Sequence, residues 1–262
     1  MVKKGSYQHF RPDEHTFLDK IDDYANRVEE TYLSLTTEFL NPRQVLLVKN
    51  ILSQRGLTYF ISSDYYPTEY AKVIIAPDYY SLDQVDFEIS LLEIDYNSKF
   101  NNLTHSQIMG TLLNQLGIRR SVLGDIILGN GCAQVLIDKG MATYVTDNIS
   151  KIGRASIIIK EVPLSKLIET SSQKIESAIL VSSMRLDKII SSALKLSRSQ
   201  AIKLIEAEKV KLNYGLVNSP SELVQIGDLL SIRGFGRVSI LSENGLSKSG
   251  KYKLTVEKTL HK

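Results

Sequence analysis

The chain has 262 residues, of which 43% are apolar and 23% charged, and its formal net charge is +3. This composition excludes a disordered protein and can fill two or three ordinary hydrophobic cores. A single cysteine, Cys132, and four scattered histidines exclude an internal disulfide and offer no metal-ligand spacing, so we expect no metal and no cofactor. Because no uncharged apolar run approaches about 18 residues, we expect a cytoplasmic protein without membrane contact.

The N-terminal region is predicted to combine helices with a small hairpin. Residues 12–40 have an acidic helical pattern, and Asn41-Pro42 provides the N-cap and first-turn proline of a second helix that ends at Gly56. Strands are expected over 57–62 and 72–76.

Tyrosine is concentrated around the turn between these two strands. Exposed rings there could stack on unpaired bases, but rings that pack a hairpin or a domain interface are commoner. Six of the 13 tyrosines lie within 22 residues: Tyr59, Tyr65, Tyr66, Tyr70, Tyr79 and Tyr80.

The first helix carries many carboxylates but no histidine or lysine constellation beside them. A solvated face or a protein contact is therefore expected instead of an acid/base site. The carboxylates are Asp13, Glu14, Asp19, Asp22, Asp23, Glu29 and Glu30.

The central region is predicted to have the element order β-α-β-β-α-β. The elements are expected at 87–96, 104–116, 125–128, 133–137, 140–151 and 156–162. This is the ferredoxin-like arrangement of RRM-type RNA-binding domains, which also hosts many enzymes. Because the outward strand positions lack stacking aromatic residues, any RNA contact there is expected through charge.

Four cations follow the two central helices. We expect both helices to run back from one end of the sheet, so that their C-termini emerge at one pole and the cations cluster there. The cluster is interpreted either as a complement to the helix dipoles or as a second phosphate-binding patch. Its members are Arg119, Arg120, Lys151 and Arg154.

The last third of the chain is basic. Residues 182–262 carry 14 Lys and Arg against 7 Asp and Glu, a net charge of +7, whereas residues 1–181 have a net charge of −4. This asymmetry is typical of a nucleic-acid binder and is less expected of an enzyme that acts on a neutral metabolite.

A helix is predicted over 184–195, with one apolar stripe formed by Leu186, Ile189, Ile190 and Ala193. Three cations lie off the stripe along one exposed face, namely Arg185, Lys188 and Lys195. These cations could bind successive phosphates instead of forming ion pairs with carboxylates. The alternative is that they form a solvated face.

A second helix is predicted to begin with a capping box, in which Ser197 is the N-cap and Gln200 the reciprocal partner. Its N-terminus also carries Arg198 and Ser199, with Lys203 one turn further on. Amide groups, a hydroxyl and cations together predict a phosphate site.

Short strands are expected after this helix, at 210–213 and 228–232. Further candidates for RNA contact lie on and around them: Lys209, Lys211, Asn213, Arg233 and Arg237. Lys248, Lys251 and Lys253 either extend the basic surface or belong to a solvated end.

The segments MRLDKII, LSRSQAIKLI, VKLN and GDLLSIR, within residues 184–233, closely resemble the S4 RNA-binding domain. One position departs from that pattern, because Glu208 stands where the S4 domain usually has glycine. A left-handed turn at Glu208 would be strained, and its carboxylate would lie within the basic surface. The resemblance implies binding to structured RNA, commonly ribosomal or transfer RNA, whereas the charge pattern alone leaves DNA open.

Three further segments, LGIRRSVLGDIIL, TDNISKIGRAS and RGFGR, are similar to the YlmH family of bacterial S4-domain proteins. The family's genes lie near cell-division genes, and the family is associated with the ribosome. The resemblance implies binding of large-subunit and transfer RNA on large subunits obstructed by nascent chains, in ribosome-associated quality control.

Two other functions stay open: an RNA-modifying enzyme and a protein scaffold in cell division that acts through the acidic first helix. Some pseudouridine synthases place a catalytic aspartate in an RLD tripeptide, but here RLD opens the binding module itself. Asp187 is therefore interpreted as a first-turn carboxylate or a salt-bridge partner of a nearby cation. No nucleotide-binding glycine motif is present, so no catalytic residue is predicted.

The expected fold class is α+β, with an N-terminal helical and hairpin region, a ferredoxin-like domain, a linker, an S4-type domain and a basic extension. The expected boundaries are 1–84, 85–165, 166–181, 182–245 and 246–262.

Overall fold

The computed structural model describes residues 12–169 and 174–260. The chain divides into two compact units, Met1–Thr170 and Ser171–Lys262. Both mix helices with sheets, so the predicted α+β class is confirmed. Within the described ranges, no helix has the length and apolar character needed to cross a bilayer.

The first unit begins with two helices packed on a three-stranded antiparallel sheet of order β1-β3-β2. In chain order the elements are α1 (His15–Thr31), β1 (Leu35–Thr36), α2 (Pro42–Arg55), β2 (Thr58–Ile61) and β3 (Val73–Ala76). Helix α1 is shorter than predicted because Tyr32 adopts a left-handed conformation and ends it.

Helix α2 begins and ends where its sequence predicts. The Asn41 side chain accepts a hydrogen bond from the Gln44 amide at 2.9 Å, and the Gln44 side chain accepts one from the Asn41 amide at 3.0 Å. Gly56 ends the helix with a φ of 70°, a conformation that suits glycine.

The carboxylates of α1 do not all face solvent. Arg55 of α2 pairs with Asp22 at 2.9 Å and with Glu29 at 3.3 Å, so part of the acidic face holds the two helices together. Asp19, Asp23 and Glu30 are exposed. Asp13 has no described side-chain environment.

Several tyrosines of the predicted turn pack against other rings. The ring centroids of Tyr65 and Phe87 are 5.7 Å apart, and those of Phe60 and Tyr80 are 5.9 Å apart. Tyr79 is 68% exposed, and its hydroxyl donates to the Tyr32 carbonyl. Packing of the small sheet, not an open stacking platform, therefore accounts for most of these rings.

The second part of this unit is a five-stranded antiparallel sheet of order β5-β6-β4-β8-β7 with helices on one face. Its elements are β4 (Ile89–Tyr96), α3 (His105–Gly110, continued by a π-helical turn), β5 (Leu123–Leu128), β6 (Cys132–Asp138), α4 (Lys139–Asn148), β7 (Lys151–Ile152) and β8 (Ala155–Val162). The element order is the predicted one, with the short strand β7 in addition.

Buried polar contacts join the two parts of the first unit. Lys72 is only 2% exposed, and its ammonium group donates to Asp138 at 2.6 Å and to the Glu88 carbonyl at 3.1 Å. The Asp125 carboxylate accepts the amides of Glu69 and Tyr70 at 2.7 and 2.9 Å. Burial raises the pKa of Asp125 above its usual value, although these amide hydrogen bonds oppose the shift.

The second unit is a six-stranded antiparallel sheet of order β11-β10-β12-β13-β14-β9, with two helices on one face. Its elements are β9 (Lys174–Val181), α5 (Leu186–Leu194), α6 (Arg198–Glu206), β10 (Val210–Leu212), β11 (Gly215–Leu216), β12 (Leu229–Ile232), β13 (Gly236–Leu246) and β14 (Tyr252–Leu260).

Two of the expected boundaries are wrong. The expected linker 166–181 contains β9, and the expected extension 246–262 contains β14, which pairs with β9 over eight residues. The alternation of Ile179 and Val181 with exposed residues buries one side of β9, and Leu254 and Val256 do the same for β14. Each strand covers the other's edge, so both belong to the sheet.

Candidate nucleic-acid interface

A buried carboxylate lies at the centre of the helix pair. Asp187 is 0% exposed and accepts two hydrogen bonds from Arg185, Nε to Oδ1 at 3.1 Å and Nη2 to Oδ2 at 3.2 Å. It also accepts Nε of Arg198 at 2.9 Å and the amide of Lys188 at 3.0 Å. The carboxylate therefore links the first turn of α5 to the first turn of α6.

This arrangement corrects one expectation and supports another. Arg185 was expected to bind phosphate and to have no carboxylate partner, but it forms an ion pair with Asp187. Asp187 is the salt-bridge partner that the sequence suggested as one of two interpretations. Burial alone would raise the pKa of Asp187, but the hydrogen bonds and charges of the two arginines outweigh burial and lower it.

The ion pairs orient the arginines without enclosing them. The side chains of Arg185 and Arg198 are 34% and 56% exposed. Arg198 uses only Nε for Asp187, and its terminal nitrogens have no hydrogen-bond partner within the described chain. A guanidinium group held in this way presents its outer edge to an incoming phosphate.

The N-termini of the two helices differ. The first amides of α5 are occupied, because Leu186 donates to the Glu222 carbonyl at 2.8 Å and Asp187 donates to the Pro220 carbonyl at 3.1 Å. Helix α6 instead begins with the predicted capping box between Ser197 and Gln200. The exposed helix N-terminus is therefore that of α6.

We call the following set the helix-pair surface: Arg185, Lys188, Lys195, Ser197, Arg198, Ser199, Gln200 and Lys203. Lys188 donates to the Ser182 hydroxyl at 2.7 Å, and Lys195 ends α5 in a left-handed conformation. Burial and the nearby charge of Lys195 lower the pKa of Lys258, a residue of β14. The charges of Lys195 and Lys258 are therefore close enough to repel each other.

Other predicted residues lie on the opposite side of the sheet. Lys211 alternates with buried Val210 and Leu212, and its cross-strand neighbour Ser231 is paired with Arg237. Lys211 and Arg237 therefore face away from α5 and α6. The alternation of Lys211 with Val210 and Leu212 was readable in the sequence.

The remaining candidates lie at the two ends of the β10–β12 ladder, Lys209 and Arg233 at one end and Asn213 at the other. The Arg233 amide donates to the Lys209 carbonyl at 2.9 Å, just beyond the ladder of β10 and β12. Asn213 has a structural role, since its side chain donates to Asp228 at 2.7 Å and accepts the Leu229 amide at 2.9 Å. Glu208 has a φ of 54°, the left-handed conformation expected at this position.

The chain matches three family models in succession: "YlmH, N-terminal" over 13–80, "Putative RNA-binding domain in YlmH" over 83–166 and "S4 domain" over 184–230. The Bacillus subtilis (strain 168) protein named "Ribosome-associated protein quality control protein P2" is 32% identical over 253 residues, which cover 96% of this chain and 98% of that protein. The chain belongs to the YlmH family. The solved structure titled "Cell division protein ylmH from Streptococcus pneumoniae" is 39% identical, with a TM-score of 0.56 over 63% of this chain and 100% of that one.

The central domain of this YlmH-family chain does not offer the sheet face with which RRM domains stack bases. The face opposite its helices carries Leu91, Ile127 and Leu136, which pack with Phe39 of the N-terminal part. The buried side chain of Gln134 donates to the Lys166 carbonyl at 3.0 Å and accepts the Ile168 amide at 2.9 Å, so the segment after β8 lies on this face as well.

The predicted cluster of Arg119, Arg120, Lys151 and Arg154 does not form. The hairpin β5–β6 reverses the chain, so α3 and α4 run in opposite directions and their C-termini lie at opposite ends of the sheet. The first two residues precede edge strand β5, whereas the other two flank edge strand β7. Four interstrand spacings, roughly 19 Å, also separate these edges.

Arg119 and Arg120 instead join the two parts of the first unit. Arg119 pairs with Glu38 at 3.0 Å, and the guanidinium carbon of Arg120 lies 4.1 Å from the centre of the Tyr70 ring. Arg120 also donates to the Leu123 carbonyl. Lys151 and Arg154 are exposed.

Proposed function

We propose that this YlmH-family chain is a non-catalytic, cytoplasmic RNA-binding protein that binds ribosomal and transfer RNA on the large ribosomal subunit. Its role would be ribosome-associated quality control of stalled nascent chains. The B. subtilis relative is named for ribosome-associated protein quality control, and the chain covers nearly all of that protein. The family models add two RNA-binding regions.

The observation that carries this proposal is the pair of arginines fixed by Asp187 beside the exposed N-terminus of α6. The helix-pair surface carries five cations against one central carboxylate, Asp187, which leaves a net charge of about +4 for phosphates. Because Lys211 and Arg237 face the other way, we propose the helix-pair surface as the primary RNA contact. Lys209, Lys211, Arg233 and Arg237 are proposed as a separate contact.

A catalytic role for Asp187 is disfavoured by its surroundings. The carboxylate is fully buried, and both of its oxygens accept hydrogen bonds from arginines. A general base or nucleophile must reach a substrate and needs a free lone pair directed at it. We therefore interpret Asp187 as a positioning residue.

A sedimentation series tests the proposal. The protein is centrifuged with purified large ribosomal subunits at increasing salt, with ribonuclease-treated subunits as a control. At about 0.7 to 0.9 per neutralised phosphate, log affinity should fall against log salt with a slope of about −3 to −4. Binding that ignores both salt and ribonuclease would indicate a protein contact and contradict the proposal. New modified nucleosides in the bound RNA would indicate an enzyme.

A further inference from the structure

A small cavity opens beside the helix-pair surface, between α5, the end of β9 and the turn that joins β13 to β14. Its volume is about 290 Å³, and its polar lining consists of Ser182, Lys188, Ser191, Ser192, Arg198 and Lys251. No carboxylate is among the residues that line it. Three cations line this cavity, and the one carboxylate paired with them, Asp187 on Arg198, is not part of the lining, which favours an anion.

The turn between β13 and β14 holds Lys251 at this cavity. The Lys251 amide donates to the Ser247 hydroxyl at 3.0 Å, and the Ser247 amide donates to the Lys251 carbonyl at 2.7 Å. The next residue, Tyr252, pairs with Val181 at the end of β9. Lys251 therefore lies beside Ser182, although the two residues are far apart in the sequence.

The hydrogen-bond donors around the cavity suit a phosphate. Two of the hydroxyl groups are already used as donors, because Ser191 donates to the Leu196 carbonyl at 2.7 Å and Ser192 to the Leu180 carbonyl at 3.2 Å. The other donors are available. The Ser182 hydroxyl accepts from Lys188, so its own proton is available. Lys188 retains two further N–H donors, and Arg198 uses only its Nε for Asp187, which leaves its terminal nitrogens as donors.

We propose that this cavity binds one backbone phosphodiester of the RNA, with Lys251 as a third cation beside Lys188 and Arg198. The inference rests on the proposed RNA-binding function and assigns it a phosphate-binding site. The cavity equals roughly ten water volumes, which accommodates a phosphate with part of its ribose. Because it shares two cations with the helix-pair surface, a strand that crosses this surface can place its next phosphate there.

The first test compares two lysines of the same turn in the full chain. Lys251→Ala should weaken affinity for purified large ribosomal subunits by about 3- to 10-fold at low salt and reduce the salt slope by about one. Lys248→Ala removes the same charge outside the cavity, and its affinity should stay within about 2-fold. Ser247→Ala, which removes the hydrogen bond to the Lys251 amide, should give an intermediate loss.

Equal affinities of the Lys251→Ala and Lys248→Ala variants would overturn the cavity proposal. If Arg198→Ala still weakens binding in that case, the proposed RNA-binding function survives. If Arg198→Ala is also without effect, the helix-pair surface itself is wrong.

A second test identifies the phosphate source by nuclear magnetic resonance of the full chain. A dinucleotide with one internal phosphodiester and no terminal phosphate should shift the amide signals of Ser182 and Lys251, and Lys251→Ala should abolish the shifts. A nucleoside 5′-monophosphate and inorganic phosphate are the other probes. Shifts with these two probes but not with the dinucleotide would overturn the assignment to a backbone phosphodiester.

Discussion

The central domain and the C-terminal domain of this chain both carry cations, but they use them differently. Residues 83–166 hold 8 Lys and Arg against 9 Asp and Glu, whereas residues 174–260 hold 14 against 8. Arg119 and Arg120 of the central domain, like Lys72 of the N-terminal part, form contacts between the two parts of the first unit. In the second unit Asp187 orients two arginines whose outer edges face solvent.

This difference shows that a basic residue in an RNA-binding protein can be given a structural or a ligand-binding role only when its carboxylate partner is also considered. A cation that is itself buried against its carboxylate partner has a structural role, as Lys72 has beside Asp138. A buried partner that leaves the outer edge exposed prepares the cation for a ligand, as Asp187 does for Arg198.

The largest expected effect is on the stability of the first unit. Lys72→Ala leaves Asp138 without its buried cation, so we expect the free energy of unfolding of this unit to fall by about 3 kcal/mol. Denaturant unfolding measures this change. Affinity for large subunits should be unchanged under conditions in which the variant is folded, and a selective loss of affinity would give Lys72 a role in binding.

Asp187→Asn should affect both stability and binding. Replacing the charged acceptor of two guanidinium groups should lower the free energy of unfolding of the second unit by about 2 kcal/mol at neutral pH. Although the substitution adds one positive charge, affinity for large subunits should fall by about 5- to 10-fold, because the arginines lose their orientation. Tighter binding would mean that net charge, not orientation, governs the interface.

The pH dependence of the same variant has a defined sign. The folded-state pKa of Asp187 is lowered, so its contribution to stability is present above the unfolded value, about 3.9, and is lost as the pH falls through the folded value. The stability difference between the native chain and Asp187→Asn should be constant from about pH 5 to 8 and disappear under acid. A difference that changes around pH 7 would point to another group.

Phe39 covers one sheet face of the central domain, and a single methyl group added at Gly124 should disturb this packing. A Cβ on Gly124 would lie 2.7 Å from a ring carbon of Phe39 and 3.0 Å from Cβ of Leu136. Gly124→Ala should therefore lower the free energy of unfolding by about 1 to 2 kcal/mol. The matched control is Gly110→Ala in α3, where the nearest atom is 3.9 Å away and stability should not fall. Equal stabilities would show that Phe39 does not pack on this face in solution.

The smallest effect is expected for Arg119. Its side chain is 76% exposed beside Glu38. Arg119→Ala should change the free energy of unfolding by less than about 0.5 kcal/mol, because exposed ion pairs contribute little. Thermal unfolding measures this change, and a loss of several degrees would indicate a stronger joint between the two parts of the unit.

Local signals in the sequence predicted local structure well. The N-cap at Asn41, the capping box at Ser197 and the apolar stripe of α5 depend on residues within a few positions of each other, and all are present. The charge asymmetry indicated the third of the chain in which the proposed interface lies. The left-handed conformation of Glu208 followed from comparison with the S4 pattern.

Features that depend on long-range pairing were missed or misjudged. Strands β9 and β14 bury each other's edges only after the chain has returned across the sheet, so each looked like a linker or a tail. The helix C-termini of the central domain were assigned to one pole because the reversal at the β5–β6 hairpin was overlooked. Lys251 and Lys188 line the same cavity only because of the register in which β14 pairs with β9.

The most direct measurement compares two double variants in binding to purified large ribosomal subunits. Arg185→Ala with Arg198→Ala removes two cations from the helix-pair surface, and Lys151→Ala with Arg154→Ala removes two exposed cations from the central domain. We expect the first pair to weaken binding by at least about 30-fold at low salt and the second pair by less than about 3-fold. Equal losses, or full binding by the first double variant, would contradict the account.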